Sequence, residues 1–209
     1  MIKALIFDMD GTLVDTGKIG FDVLETWLKE KKLNYKEAHV KEIAFRSFSE
    51  ILQEIVEENN KKYLPEMRED LIKRYKIKIK NAKALPYAVE VLENLHDKFI
   101  MIIATLSLKE IASRILKEND LEKYFDMIVC MDTKKIKDKK EMLSNILKET
   151  KLKPKECILI EDSHHGIKSG INNEIFTIGV KHYFADIEAD VEVNNLKQAE
   201  KVILEKWKL

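Results

Sequence analysis

The sequence has few of the features that mark secreted, membrane-spanning or nucleic-acid-binding proteins. It contains only two cysteines, Cys130 and Cys157, without the CxxC spacing of a zinc site, so we expect two buried reduced thiols. No apolar run approaches the roughly 20 residues that cross a membrane. The 37 Lys+Arg balance the 37 Asp+Glu, so no net charge attracts nucleic acid or anionic lipid. These absences predict a cytoplasmic protein with a small-molecule partner, no nucleic-acid partner and no membrane association.

Glycine and proline are also scarce, and 6 Gly and 3 Pro in 209 residues impose few breaks on long helices. Short apolar runs separate the helical patterns, and each run lacks the alternation of a half-exposed strand. These runs are residues 4–7, 99–104, 127–131, 157–160 and 175–180. Strands that alternate with helices predict an α/β fold with a doubly wound, mainly parallel, Rossmann-like sheet.

The alternation of strands and helices breaks once, in a stretch whose apolar residues recur at helical spacing throughout. We therefore predict a Rossmann-like core of residues 1–14 and 84–209 and an inserted α-helical cap of residues 15–83. Because the insertion directly follows the first strand, we expect it to act as a lid over the ligand-binding end of that strand. The alternative is an additional helical layer without a role in substrate binding.

Acidic residues stand at the ends of two predicted strands, where ligands bind in sheets of this kind. Asp8 and Asp10 follow the first strand, and Glu161 and Asp162 end the fourth. Two carboxylates about 4 Å apart repel each other by about 4 kcal/mol at an effective dielectric constant near 20, unless a cation compensates the charge. The sequence therefore predicts a Mg²⁺ site at Asp8, Asp10 and Asp162, with Glu161 as an additional ligand.

A second group of residues suits the binding of a phosphate. Gly11 lets backbone N–H groups face an anion, Thr105 offers a hydroxyl after the second strand, and a lysine of residues 134–140 offsets negative charge. Together with the aspartates, these groups suit phosphoryl transfer, in which one aspartate attacks phosphorus and another moves the leaving-group proton. The alternative for each group is structural: aspartates that form turns and lysines in a solvated loop.

The stretches "IFDMDGTLVDT" and "CILIEDSHHGIKSGI" resemble the haloacid dehalogenase superfamily, in its phosphatase and phosphomutase branch with a helical cap. The resemblance covers residues 1–14 and 84–182. It implies that Asp8 is the nucleophile that forms an aspartyl-phosphate, and that Asp10 is the general acid/base whose backbone oxygen also binds Mg²⁺. It further implies phosphate binding by Thr105, a lysine that pairs with Asp8, and metal binding by Asp162, with Glu161 as an additional ligand.

The sequence departs from the family pattern at two functional positions. Leu106 stands where the family usually has a small residue or Asn, although its backbone N–H is still available to phosphate. In the family, the phosphate-site lysine commonly lies in a KPxP string, and this sequence contains no such string. The usual spacing of 25 residues before Asp162 gives Lys137, which we prefer. The shorter spacing of 23 residues gives Lys139 as the alternative, with Asp138 as a helix N-cap.

The resemblance implies a Mg²⁺-dependent phosphatase acting on a small phosphorylated metabolite, a phosphoglycolate-like or sugar-phosphate-like monoester. We expect a monomer or a small homo-oligomer, and we take Lys18 and Arg46 of the cap as candidates for contact with the substrate. The alternative function is a sugar phosphomutase of the β-phosphoglucomutase type. Gly20 argues against it, because mutases of this branch tend to have a cap histidine at that position.

Two further alternatives share the expected fold. The first is a non-catalytic phosphate-binding protein, against which the intact set Asp8, Asp10, Thr105 and Asp162 argues. The second is a response-regulator receiver, which also combines aspartates, Mg²⁺, Thr and Lys. In a receiver, however, the phosphorylated aspartate follows the third strand and the chain is much shorter, so the helical insertion favours the phosphatase.

Overall fold

The computed structural model describes residues 1–36, 48–59, 61–62, 65–133, 136–182 and 188–207. The chain divides into two compact units, a core unit of residues 1–14 and 83–209 and a helical unit of residues 15–82. Within the described ranges, every helix is too short or too polar to cross a membrane.

Parallel strands form the centre of the core unit. In the described part of the chain they are β1 (Ala4–Phe7), β2 (Ile100–Thr105), β3 (Met127–Cys130), β4 (Cys157–Glu161), β5 (Phe176–Val180) and β6 (Val191–Val193). Their order in the sheet is β3-β2-β1-β4-β5-β6. Both β1 and β4 are buried along their whole length, as expected of strands covered on both faces. The predicted α/β class with a doubly wound parallel sheet is confirmed.

The helical unit has a hydrophobic core of its own. It contains α1 (Gly17–Glu30), α2 (Phe48–Glu58) and α3 (Pro65–Lys78). Trp27 of α1 is fully buried, and it belongs to one apolar cluster with Ile51 of α2 and Leu71 of α3. Its indole N–H donates to Asp70 Oδ2 at 2.8 Å. Burial of each large apolar side chain contributes about 1.5–3 kcal/mol, so the unit has its own source of stability.

Capping side chains fix where three helices of the core unit begin. The core helices in the described residues are α4 (Ala88–Leu95), α5 (Lys109–Glu118), α6 (Lys139–Thr150), α7 (His164–Asn172) and α8 (Leu196–Lys206). The side chains of Asp138, Ser163 and Asn195 each accept a hydrogen bond from a backbone N–H three residues later. A cap of this kind contributes about 1 kcal/mol. The caps therefore set the first residues of α6, α7 and α8.

The strand order creates a switch point between β1 and β4. From β1 the chain builds the sheet in one direction through β2 and β3, and then in the other direction through β4, β5 and β6. The register pairs Phe7 of β1 with Ile160 of β4. Because the strands are parallel, Asp8 and Glu161 come next at the same edge. Ligands bind at such a switch point in open α/β sheets.

The ends of the helical insertion are tied together on the core side. Val14 and Ala84 form an antiparallel bridge, and the Leu85 N–H donates to the Leu13 carbonyl oxygen at 2.8 Å. The chain thus leaves the core and returns to it at paired residues.

Candidate active site

A tight turn carries the chain out of β1. The Asp8 N–H donates to the Ile160 carbonyl at 2.9 Å, which keeps Asp8 in line with the sheet. Gly11 follows with a φ of 89°, a conformation that glycine adopts without steric cost. A Cβ at Gly11 would lie 2.2 Å from Asp162 Oδ2. The turn therefore requires glycine both for its backbone and for the close approach of Asp162.

Three buried carboxylates meet at the switch point. Asp8, Glu161 and Asp162 each offer an oxygen, and these atoms all lie within 4.8 Å of one another. Burial raises the pKa of Asp8 and of Asp162 well above the usual range, and the charge of Glu161 raises both pKa values further. Carboxylate oxygens are the ligands that a hard divalent cation prefers, and a bound cation would relieve this repulsion. The donor set therefore fits Mg²⁺.

Lys139, the first residue of α6, supplies positive charge to this cluster. Its Nζ lies 2.5 Å from Asp8 Oδ1 and 3.2 Å from Glu161 Oε2, and it also donates to the Ala104 carbonyl. Burial lowers the pKa of Lys139, but the charges of Asp8 and Glu161 outweigh burial and hold the pKa above its usual value. The ammonium group is therefore charged at neutral pH.

The structure places Lys139, and not the preferred Lys137, against Asp8. The side chain of Lys137 is exposed, and its backbone N–H donates to Glu141 Oε2 at 2.9 Å. The physical reason is the cap, because Asp138 accepts from the Glu141 N–H at 2.8 Å and makes Lys139 the first helical residue. The preference for Lys137 is thus corrected to its alternative, which already had Asp138 as the cap.

Glu161 is held by four donors. Its Oε1 accepts from the Asp162 N–H at 3.0 Å, the Ser163 N–H at 3.1 Å and the Ser163 hydroxyl at 3.0 Å, while Oε2 faces Lys139. A Cβ at Gly166 would lie 1.9 Å from Glu161 Oε2, so only glycine fits there beside this carboxylate. The contacts of Glu161 organise the loop that carries Asp162.

Hydroxyl groups hold the other two acidic side chains. The fully buried Thr12 donates to Asp162 Oδ1 at 3.0 Å. Thr105 and Ser107 both donate to Asp10 Oδ2, at 2.8 and 2.9 Å. Neither Thr12 nor Ser107 was predicted as a site residue, although both lie within two residues of one that was. Leu106, between Thr105 and Ser107, is 39% exposed.

The two cap candidates belong to the helical unit. Lys18 is exposed on α1. Arg46 lies outside the described residues. Contact of either residue with the substrate stays a prediction.

Taken together, the fold and the site define an α/β enzyme whose buried carboxylates and lysine meet at the switch point of a parallel sheet. A family model described as haloacid dehalogenase-like hydrolase matches residues 5–180. The chain belongs to this family.

Proteins similar to this chain include two phosphatases. The phosphoglycolate phosphatase of Aquifex aeolicus is 26% identical over 174 residues, which cover 81% of this chain and 80% of that protein. The phosphorylated carbohydrates phosphatase of Thermotoga maritima is 30% identical over 202 residues, 91% of each chain. Among solved structures, the β-phosphoglucomutase of Clostridium difficile has a TM-score of 0.81 at 25% identity, and the match covers 100% of this chain and 98% of that one. The family match and the related phosphatases confirm two predictions from the sequence, the family itself and the class of phosphoric monoester hydrolase.

Proposed function

We propose that the protein is a Mg²⁺-dependent phosphatase that hydrolyses a small phosphate monoester through an aspartyl-phosphate on Asp8. The observation that carries the proposal is the setting of Asp8. A charged lysine lies 2.5 Å from one of its oxygens, and Asp162 brings a carboxylate oxygen within 4.8 Å. A lysine and a divalent cation together offset the charge that otherwise keeps a carboxylate away from a phosphate.

Asp8, Asp162 and the backbone oxygen of Asp10 would hold the Mg²⁺. When bound, Mg²⁺ would supply positive charge that offsets the repulsion between these carboxylates and the substrate phosphate. We propose that Glu161 serves chiefly to position Asp162, because its two oxygens already meet three donors and Lys139. Its nearness to Asp8 and Asp162 leaves it as the additional ligand of the set.

The reaction then proceeds in two steps. In the first, an Asp8 oxygen bonds to phosphorus while the bond from phosphorus to the ester oxygen breaks, and Asp10 gives its proton to the departing oxygen. In the second, a water oxygen bonds to phosphorus, Asp10 accepts a proton from that water, and the bond between Asp8 and phosphorus breaks. Lys139 offsets the charge on Asp8 throughout, while the Gly11 turn, Thr105 and the Leu106 N–H bind phosphate oxygens.

For the substrate, we propose a small phosphate monoester such as phosphoglycolate or a sugar phosphate. We propose the cytoplasm as the place where the protein acts on it. The names of the two related phosphatases support this class. The likeness to a β-phosphoglucomutase favours a second candidate, a mutase that returns the phosphoryl group to a sugar. Gly20, where such mutases tend to have histidine, argues for water as the acceptor.

The test is a panel of phosphate esters, assayed for released phosphate with Mg²⁺ and with EDTA. We expect hydrolysis that requires Mg²⁺ and that falls to background in Asp8→Asn, which keeps the shape of the side chain but replaces the nucleophilic carboxylate with an amide. Activity that persists in Asp8→Asn would contradict the aspartyl-phosphate. The panel includes β-glucose 1-phosphate with a bisphosphate primer, because formation of the 6-phosphate without free phosphate would favour the mutase.

A further inference from the structure

Asp10 is held by two hydroxyl groups through a single oxygen. Thr105 and Ser107 both donate to Asp10 Oδ2, at 2.8 and 2.9 Å. The Ser107 N–H in turn donates to Thr105 Oγ1 at 3.0 Å, which fixes the two hydroxyls relative to each other. Thr105 is fully buried. Its hydroxyl therefore has a defined direction, and its proton points at Asp10.

A hydroxyl has only one proton to donate. A phosphate oxygen is an acceptor, so Thr105 can donate to it only by releasing Asp10. The two roles given to Thr105, phosphate ligand and partner of Asp10, therefore exclude each other at any one moment. When a phosphate oxygen accepts the hydrogen bond from the Thr105 hydroxyl, Ser107 is the one of these two donors that still bonds to Asp10.

We infer that Ser107 is the positioning residue of the general acid/base. This inference rests on the proposed phosphatase function. In the free enzyme Thr105 and Ser107 both donate hydrogen bonds to Asp10 Oδ2. With substrate bound, Thr105 donates to a phosphate oxygen instead, and of these two hydroxyls only that of Ser107 still donates to Oδ2. Because Oδ2 accepts the hydroxyl protons, Oδ1 carries the proton that moves to the ester oxygen and later receives one from water. In this assignment Ser107 acts through its hydrogen bond to Asp10 and does not bind phosphate or the ester oxygen.

The inference predicts a loss that depends on the leaving group. The value of kcat/KM reports the first step, in which an alkoxide leaving group needs the proton of Asp10, whereas p-nitrophenolate leaves without it. In Ser107→Ala we expect kcat/KM to fall about tenfold for the best alkyl ester of the panel, which is part of the 10²–10⁴-fold that general acid catalysis contributes. For p-nitrophenyl phosphate we expect a loss of at most about twofold. Inhibition by inorganic phosphate stays unchanged, because Thr105 still binds it.

Matched variants separate positioning from structure. Ser107→Thr keeps the hydroxyl and restores the wild-type ratio between the two esters. Ser144→Ala, at a half-buried serine within α6, changes neither ester. If Ser107→Ala does not fold, Ser107→Cys, with a weaker donor, replaces it in the same comparison.

The outcomes distinguish this inference from the proposal on which it rests. Equal losses for both esters, or no loss, with an active wild type and an inactive Asp8→Asn, would overturn the role of Ser107 alone. A wild-type protein that hydrolyses neither ester with Mg²⁺ would overturn both. A raised inhibition constant for phosphate in Ser107→Ala would show that Ser107 is a phosphate ligand instead.

Discussion

The replacement of Lys139 by methionine tests the centre of the site, and the chain offers a matched control two residues away. Lys139→Met keeps the length of the side chain and removes its charge. Lys137→Met makes the same chemical change on an exposed lysine. The two variants have equal net charge and composition, so a difference between them reports the environment of Lys139.

The size of the effect follows from the distances to the two carboxylates. At an effective dielectric constant near 20, separations of 2.5 Å from Asp8 and 3.2 Å from Glu161 correspond to attractions of about 7 and about 5 kcal/mol. Desolvation of the three buried groups offsets most of this sum. Removal of one member of a buried ion pair lowers the free energy of unfolding by about 3–5 kcal/mol, which we expect for Lys139→Met in EDTA. We expect a change within about 0.5 kcal/mol for Lys137→Met.

Urea unfolding followed by circular dichroism gives both free energies, and phosphate release gives the activity. Mg²⁺ at a saturating concentration should recover part of the loss in Lys139→Met, because the cation binds the folded state and compensates the same carboxylates. Activity should stay at background even then, because Mg²⁺ does not replace the ammonium group that Lys139 places 2.5 Å from Asp8 Oδ1. If the two variants were equally stable and equally active, the contact between Lys139 and Asp8 would be refuted.

Two further predictions concern stability. Gly166→Ala should lower the free energy of unfolding by about 1–3 kcal/mol, because the new Cβ would lie 1.9 Å from Glu161 Oε2. Helix propensity alone predicts the opposite, a gain in stability of about 1 kcal/mol. A raised melting temperature would therefore contradict the close contact seen in the structure. In EDTA, stability should fall as pH rises above the usual carboxyl range, because the raised pKa values of Asp8 and Asp162 make the folded chain bind more protons than the unfolded chain. Mg²⁺ should remove this slope, and urea titrations from the usual carboxyl range upward would measure it.

Most of the described sheet could be predicted from the sequence, because β1 to β5 are short apolar runs between polar residues. The edge strand β6 was not predicted, because its three residues include the charged Glu192 and form no apolar run. The runs at residues 4–7 and 157–160 became β1 and β4 almost residue for residue. Strand order in a doubly wound sheet is narrowly limited by short right-handed connections. The meeting of Asp8 with Asp162 could therefore be expected from strand ends alone.

The lysine and the hydroxyls of the site depend on contacts that sequence spacing does not encode. The two family spacings left Lys137 and Lys139 open, and the cap at Asp138 decided that Lys139 begins α6 and enters the core. The hydrogen bond from the Ser107 hydroxyl to Asp10 joins loops that follow neighbouring strands, and the two residues are 97 positions apart in the chain. This hydrogen bond depends on side-chain directions that the spacing of residues along the chain does not determine. Motif matching identified the acids, but it could not show which neighbours orient them.

The pairing of Val14 with Ala84 allows the inserted segment to vary in length without a change in the sheet. To the sheet, residues 15–82 are a loop whose two ends meet, and the entropy of closing such a loop grows only slowly with its length. The segment can therefore lengthen, shorten or be exchanged for another folded segment while β1 and its aspartates keep their places. Under the proposed function, changes in the insertion would alter substrate preference while the residues proposed for phosphoryl transfer stay in place.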